Sequence, residues 1–172
     1  MRNLLGYRAG IALVIALVTT FTRPDNATLG LALFGSYAMV LAIGTSVLGV
    51  LRTKPRLAMN FAPQAILAFV GGVAALISLG AAPSFQLAAL QLLLLLHLTL
   101  TSAIEGYLAY RVRANRPESR EHLIASALAL VISIVLAVIE PQPVNILGFF
   151  GAYLSITAVH LGIWAASPKK AD

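Results

Sequence analysis

Five ionisable side chains fall within or beside long apolar stretches: Arg8, His97, Glu105, Glu140 and His160. A charge at the centre of a bilayer costs roughly 2.5–3.5 kcal/mol on insertion scales, so each needs a partner, a wet cavity or an interface. The best constellation lies on one stretch. Gln86, His97, Thr101 and Glu105 fall on one side of a helix, because an 11-residue step is about three turns at 3.6 residues per turn and steps of four drift only slowly from it. Gln91 falls off this stripe. Further on, Tyr153, Thr157 and His160 share a face through spacings of four and three. Arg8 can snorkel along its own helix and cover much of the roughly 9 Å of depth that separates it from Glu105. The expected intramembrane polar cluster is therefore Arg8, His97, Thr101, Glu105 and His160. It admits two main readings: a titratable group that senses or passes protons, since histidine titrates near neutrality, or an ion pair and interhelical hydrogen bonds that hold a bundle together. A transport path is a third.

Other chemistry is missing. There is no cysteine, which removes disulfides, thiolate metal sites and cysteine nucleophiles. No glycine-rich phosphate loop, His-x-x-x-His pair or Ser–His–Asp set can be assembled, and the carboxylates are too scattered for a two-acid enzyme. No enzyme, catalytic residue, cofactor or metal is expected. Glu140 stands at a segment end, where Arg23 is a possible surface partner. His122, next to Glu121 and close to Arg120, reads as a solvated loop residue.

The elements that must position these groups follow from composition. Of 172 residues, 59% are hydrophobic and 10% charged, against about 25% charged in soluble domains; mean hydropathy is +0.90. A water-soluble fold of this size buries only about 70% of its unfolded surface, so lipid must cover the remainder. Six segments reach the roughly 20 residues that a spanning helix needs: Leu4–Phe21, Thr28–Leu51, Phe61–Leu79, Phe85–Tyr110, His122–Ile139 and Val144–Ala166. They predict an all-α bundle of transmembrane helices forming one membrane domain over 1–172. With the N-terminus inside, Arg2, Arg8, Arg52, Lys54, Arg56, Arg111, Arg113, Arg116, Arg120, Lys169 and Lys170 are internal and only Arg23 external. The positive-inside rule then places both termini in the cytoplasm of a bacterial inner membrane. This explains the net charge of +6 without nucleic acid. The first segment is kept as a mature helix, since no clear cleavage site follows it, and Asn26-Ala27-Thr28 is a chance match to a glycosylation sequon.

The helices come as outward-and-return pairs. Pro24 and Arg52, Pro83 and Arg111, and Pro141 and Lys169 mark equal spacings, which suggests three helical hairpins at about 1–56, 57–116 and 117–172. Gly6 and Gly10 form a G-x-x-x-G; with Gly30, Gly35, Gly44, Gly49, Gly148 and Gly151 they are expected to be close packing contacts. Pro63 is placed near a helix start, where its missing N–H costs little. Tyr7, Tyr107, Tyr110 and Trp164 suit an interfacial belt. The basic stretch Arg111–Arg116 could attract anionic lipid, and partnership with a second copy or a larger membrane complex is open.

Three stretches carry a resemblance: Leu29-Gly30-Leu31-Ala32-Leu33-Phe34-Gly35-Ser36 through Leu51-Arg52, Gln64-Ala65-Ile66-Leu67-Ala68-Phe69-Val70-Gly71-Gly72 through Pro83, and Leu98–Arg113 with Glu105-Gly106. With the hairpin pattern they resemble the HdeD-like short-repeat membrane proteins, and the likeness extends over nearly the whole chain. The third hairpin departs from it, because Ser126–Ile139 lacks the glycine found in Phe69–Gly72. The resemblance implies six bacterial inner-membrane helices and a role in acid or stress resistance. It implies no catalytic residues.

Overall fold

The computed structural model describes residues 2–22, 25–52 and 55–167. Within them lie helices α1 (Arg2–Thr22), α2 (Ala27–Gly44, continued by a π-helical segment Thr45–Leu51), α3 (Pro55–Ser78), α4 (Pro83–Arg111), α5 (Arg116–Val138) and α6 (Pro143–Ala166). The described residues contain no strand. All six helices are long and apolar enough to cross a membrane, as the segment lengths predict. Helix is the form that satisfies every backbone N–H and C=O without water. Threonines and serines inside the spans do the same for their hydroxyls: Thr19, Thr20, Ser78 and Ser155 each donate to the carbonyl four residues back.

Helix starts follow local chemistry. Asn26 caps α2 by accepting from the Leu29 N–H at 2.8 Å, so the sequon match has a structural role. Prolines open α4, α5 and α6, where the missing N–H would have no helical acceptor anyway. Two starts differ from expectation. α3 begins at Pro55 and α5 at Arg116, each six residues before the apolar segment read from the sequence, because hydropathy registers lipid contact and not helicity. Pro63 therefore lies inside α3, where the ring leaves the Met59 carbonyl without its helical donor. The sequence markers Arg23, Pro24, Lys54, Lys169 and Lys170 lie outside the described residues, as do the side chains of Arg2 and Arg56.

The closest helix pairs are not the sequential hairpins. α1 packs most extensively along α6, α4 along α5, and α2 along α3. The even helices also touch one another, so α2, α4 and α6 form an inner trio with α1, α3 and α5 outside it; α5 and α6 make a sparse seam. The trio meets in Phe34, Phe150, Leu90, Leu94, Leu98, Leu147 and Leu154, none more than 1% exposed.

Several glycines act as expected. A Cβ on Gly30 would come within 2.7 Å of Leu90 and 2.9 Å of Leu147, which lets α2 approach α4 and α6 together. A Cβ on Gly44 would collide with the Tyr7 ring, whose hydroxyl donates to the Val40 carbonyl at 2.6 Å. Others do not. A Cβ on Gly6, Gly10 or Gly148 would meet nothing within 4 Å. The G-x-x-x-G of α1 is not an internal packing contact, because it faces outward along a groove between α1 and α2.

Candidate functional site

The start of α1 and the end of α6 share one face of the bundle, the terminal face. Four helices place an ionisable side chain at nearly the same depth beneath it. Arg8 and His122 lie six residues after the starts of α1 and α5; Glu105 and His160 lie six before the ends of α4 and α6. At 1.5 Å rise per residue, each sits about 9 Å in from its helix end. This common depth is why charges from distant parts of the chain converge.

Glu105 is the hub and is only 3% exposed. Its Oε2 lies 2.6 Å from His122 Nδ1. Its Oε1 accepts from Gln64 Nε2 at 2.6 Å and from Arg8 Nη2 at 3.5 Å. One carboxylate thus receives donors from α1, α3 and α5. An ionised carboxylate only accepts, and the His122 tautomer protonated at Nδ1 is the one that donates to it. The same imidazole and Trp164 of α6 form a T-shaped pair, with centroids 5.8 Å apart and planes at 89°. Bonds of this charge-assisted kind are about twice as strong as neutral ones. They offset the desolvation that a lone buried carboxylate would suffer.

Beside the hub lies a cavity of about 40 Å³, lined by Arg8, Gln64, Thr101, Glu105, His122, Glu121 and His160 among others. A second, of about 20 Å³, is lined by Arg8, Tyr37, Thr45, Gln64, His97, Thr101 and Tyr153. Arg8, Gln64, Thr101 and Tyr153 border both. His160 Nε2 stands 3.2 Å from Glu121 Oε2 across the α5–α6 seam, an approach without hydrogen-bond geometry. His97 lies at the midpoint of α4, 95% buried, edge-on to Phe34 at 5.3 Å and to Tyr37 at 6.5 Å. Among the described residues its Nδ1 has no hydrogen-bond partner, and neither has Gln64 Oε1.

The structure thus places Arg8 against Glu105, Thr101 between the two cavities, His160 on the first and His97 on the second. It separates the residue that completed the sequence stripe. Gln86 is buried near the opposite face, accepting from Thr28 Oγ1 at 2.5 Å and donating to the carbonyls of Leu79 and Ala81 at 2.9 and 3.0 Å. It ties the α3–α4 turn and belongs to no cluster. Two members of the hub were not singled out from the sequence. His122 is half-buried on α5 instead of solvated in a loop: its side chain is 11% exposed. Gln64 carries no charge and so raised no cost that would mark it. A signal for His122 did exist: Pro117 and Glu118 are first-turn residues, and they bring the helix start forward far enough to carry it inside.

At the terminal face, Arg111 donates to Asn60 Oδ1 at 2.9 Å and lies 5.8 Å from the Tyr107 ring centre. Arg113 sits 4.3 Å over Tyr110. Both tyrosines are exposed, as interfacial anchors are. Glu140 is exposed beyond the end of α5, and its suggested partner Arg23 lies outside the described residues. Among the described residues no group of three His, Asp or Glu could hold a metal ion. Comparison of the chain with family models, with curated proteins and with solved structures gave no match.

Proposed function

We propose that this polytopic membrane protein is a non-enzymatic, acid-responsive component of a bacterial inner membrane, with Glu105 as a protonation-controlled latch. One observation carries the reading: a single buried carboxylate takes donors from α1, α3 and α5, which are the three outer helices. Protonating Glu105 removes the charge that holds Arg8 and turns one oxygen from acceptor to donor. The outer helices then lose a common anchor near the terminal face while the apolar inner trio stays packed. Buried charge pairs serve best as switches where two states differ by a few kcal/mol.

The resemblance to the HdeD-like proteins points the same way, toward acid or stress resistance. Segregation of 11 of the 12 basic residues to one side of the six spans supports cytoplasmic termini. The equal spacing of Pro24 and Arg52, Pro83 and Arg111, and Pro141 and Lys169 supports three hairpin repeats. The test is survival of acid challenge by cells carrying the natural chain or Glu105→Gln at matched membrane levels. The reading expects loss of protection in the variant. Equal survival rejects it.

A second reading, a subunit that packs on another membrane protein or on its own copy, is favoured by one feature. The groove between α1 and α2, about 420 Å³ and almost wholly apolar, exposes Gly6 and Gly10 with open space above them. Native mass analysis that finds a stoichiometric partner, lost in Gly6→Leu, would support it; a monomer in mild detergent would not.

A further inference from the structure

The two cavities, considered together, reach beyond the latch. The first comes to the surface at the α5–α6 seam, where Glu121 and His160 keep 30% and 17% of their side chains exposed. The second continues inward past Arg8 and Thr101 to His97, about 21 Å from the end of α4 at 1.5 Å per residue. A water needs at least about 10–15 Å³ and two to four polar partners. Cavities of about 40 and 20 Å³ lined by such groups meet both conditions. Two buried polar atoms without a hydrogen-bond partner among the described residues lie along this path, Gln64 Oε1 between the cavities and His97 Nδ1 at its end, while His160 Nε2 near its mouth has only the Glu121 carboxylate at 3.2 Å. Gln64 and His97 are at least 91% buried. Leaving two such atoms dry is a cost that folded proteins avoid.

Beyond His97 the path closes. Phe34 and Phe150 meet edge to face at 5.8 Å, Tyr37 and Phe150 at 5.7 Å, and Leu90 and Leu94 are completely buried deeper along α4. The groups facing His97 are Arg8 from α1, Phe34 and Tyr37 from α2, Gly71 and Gln64 from α3, Thr101 on its own helix, and Tyr153 from α6.

We propose that the two cavities form one dead-end water passage, open at the terminal face and ending at His97, which brings water and protons to mid-membrane without letting them cross. This deepens the acid-responsive reading by giving it a side: the protein reports the pH of the compartment that its termini face. The passage is a water site, and conduction across the bilayer is not part of it.

The chain has no cysteine, so single-cysteine variants give unambiguous access data. Thr101→Cys in the passage and Leu94→Cys in the plug are placed in vesicles of each orientation and exposed to Ag⁺ at fixed pH, with later thiol labelling after denaturation as the readout. Thr101→Cys should react from the terminal side. Leu94→Cys should react about a hundredfold more slowly, the factor expected from the cost of a charge in an apolar core. Equal rates at the two sites, or equal rates from the two sides at Thr101→Cys, would overturn the proposal. A measurement on the unmodified chain guards against misfolded variants: solid-state NMR should show magnetisation passing from water to the His97 ring nitrogens, and a dry ring would also overturn it. Both readouts measure solvent access at one pH, so they stand apart from the acid-survival result.

Discussion

Replacing Glu105 by alanine tests the hub where it is most exposed to failure. The substitution leaves Arg8, Gln64 and His122 facing a hole, with side-chain exposures of only 16% for Arg8 and 11% for His122. Removing one partner of a buried charge pair costs about 3–5 kcal/mol; a surface carboxylate would cost within about 0.5 kcal/mol. The assay is reversible unfolding in mixed micelles, run as two double-mutant cycles, Glu105→Ala with His122→Ala and Glu105→Ala with Arg8→Ala. Contacting pairs couple by about 0.5–3 kcal/mol. The His122 cycle should lie toward the top of that range, because its contact is 2.6 Å, and the Arg8 cycle toward the bottom, because its contact is 3.5 Å. Arg8 can also move toward solvent when its partner is lost, which lowers its coupling further. A single-mutant loss below about 0.5 kcal/mol, or coupling stronger to Arg8 than to His122, would refute the geometry and with it the latch.

Glycine substitutions should divide by face. Gly44→Ala drives a methyl into the Tyr7 ring and should cost about 1–3 kcal/mol, whereas Gly6→Ala and Gly10→Ala point into open space and should stay within about 0.5 kcal/mol of the natural chain in detergent; thermal unfolding of the three variants checks this. Gln86→Leu strands the Thr28 hydroxyl and two turn carbonyls, so it should lose about 1–3 kcal/mol and speed backbone hydrogen exchange at Leu79–Ala82 while leaving exchange near Glu105 unchanged. In liposomes loaded with a pH dye, the natural chain should add no proton leak, and a leak equal to that of a known proton channel would contradict the closed plug at Phe34 and Phe150.

Hydropathy made the spans legible, since lipid demands about 20 apolar residues of every crossing. Depth arithmetic set Arg8 about 9 Å from Glu105 and left side-chain reach to close the gap, whereas the observed helix ends put the two residues at nearly the same depth. What stayed hidden has physical causes. His122 follows a run of charge that resembles a loop, and only the first-turn residues Pro117 and Glu118 show that the helix has already begun. Gln64 is neutral and looks affordable anywhere in a helix. The outward direction of Gly6 and Gly10 is invisible in a G-x-x-x-G, which fixes a stripe but not what the stripe faces. Gln86 shares the angular position of His97 and Glu105 yet belongs to the other end of the bundle, so a common angle puts it on the stripe without putting it in the cluster.

Distance across the terminal face on acidification tests the latch most directly. Asn3 on α1 and Arg120 on α5 are exposed there, and the cysteine-free chain accepts spin labels at Asn3→Cys and Arg120→Cys alone. The account expects the label separation to grow and broaden as the pH on the terminal side falls, and to be insensitive to pH in the same chain carrying Glu105→Gln. A separation that stays fixed in the natural background, or that responds equally with Glu105→Gln, would contradict it.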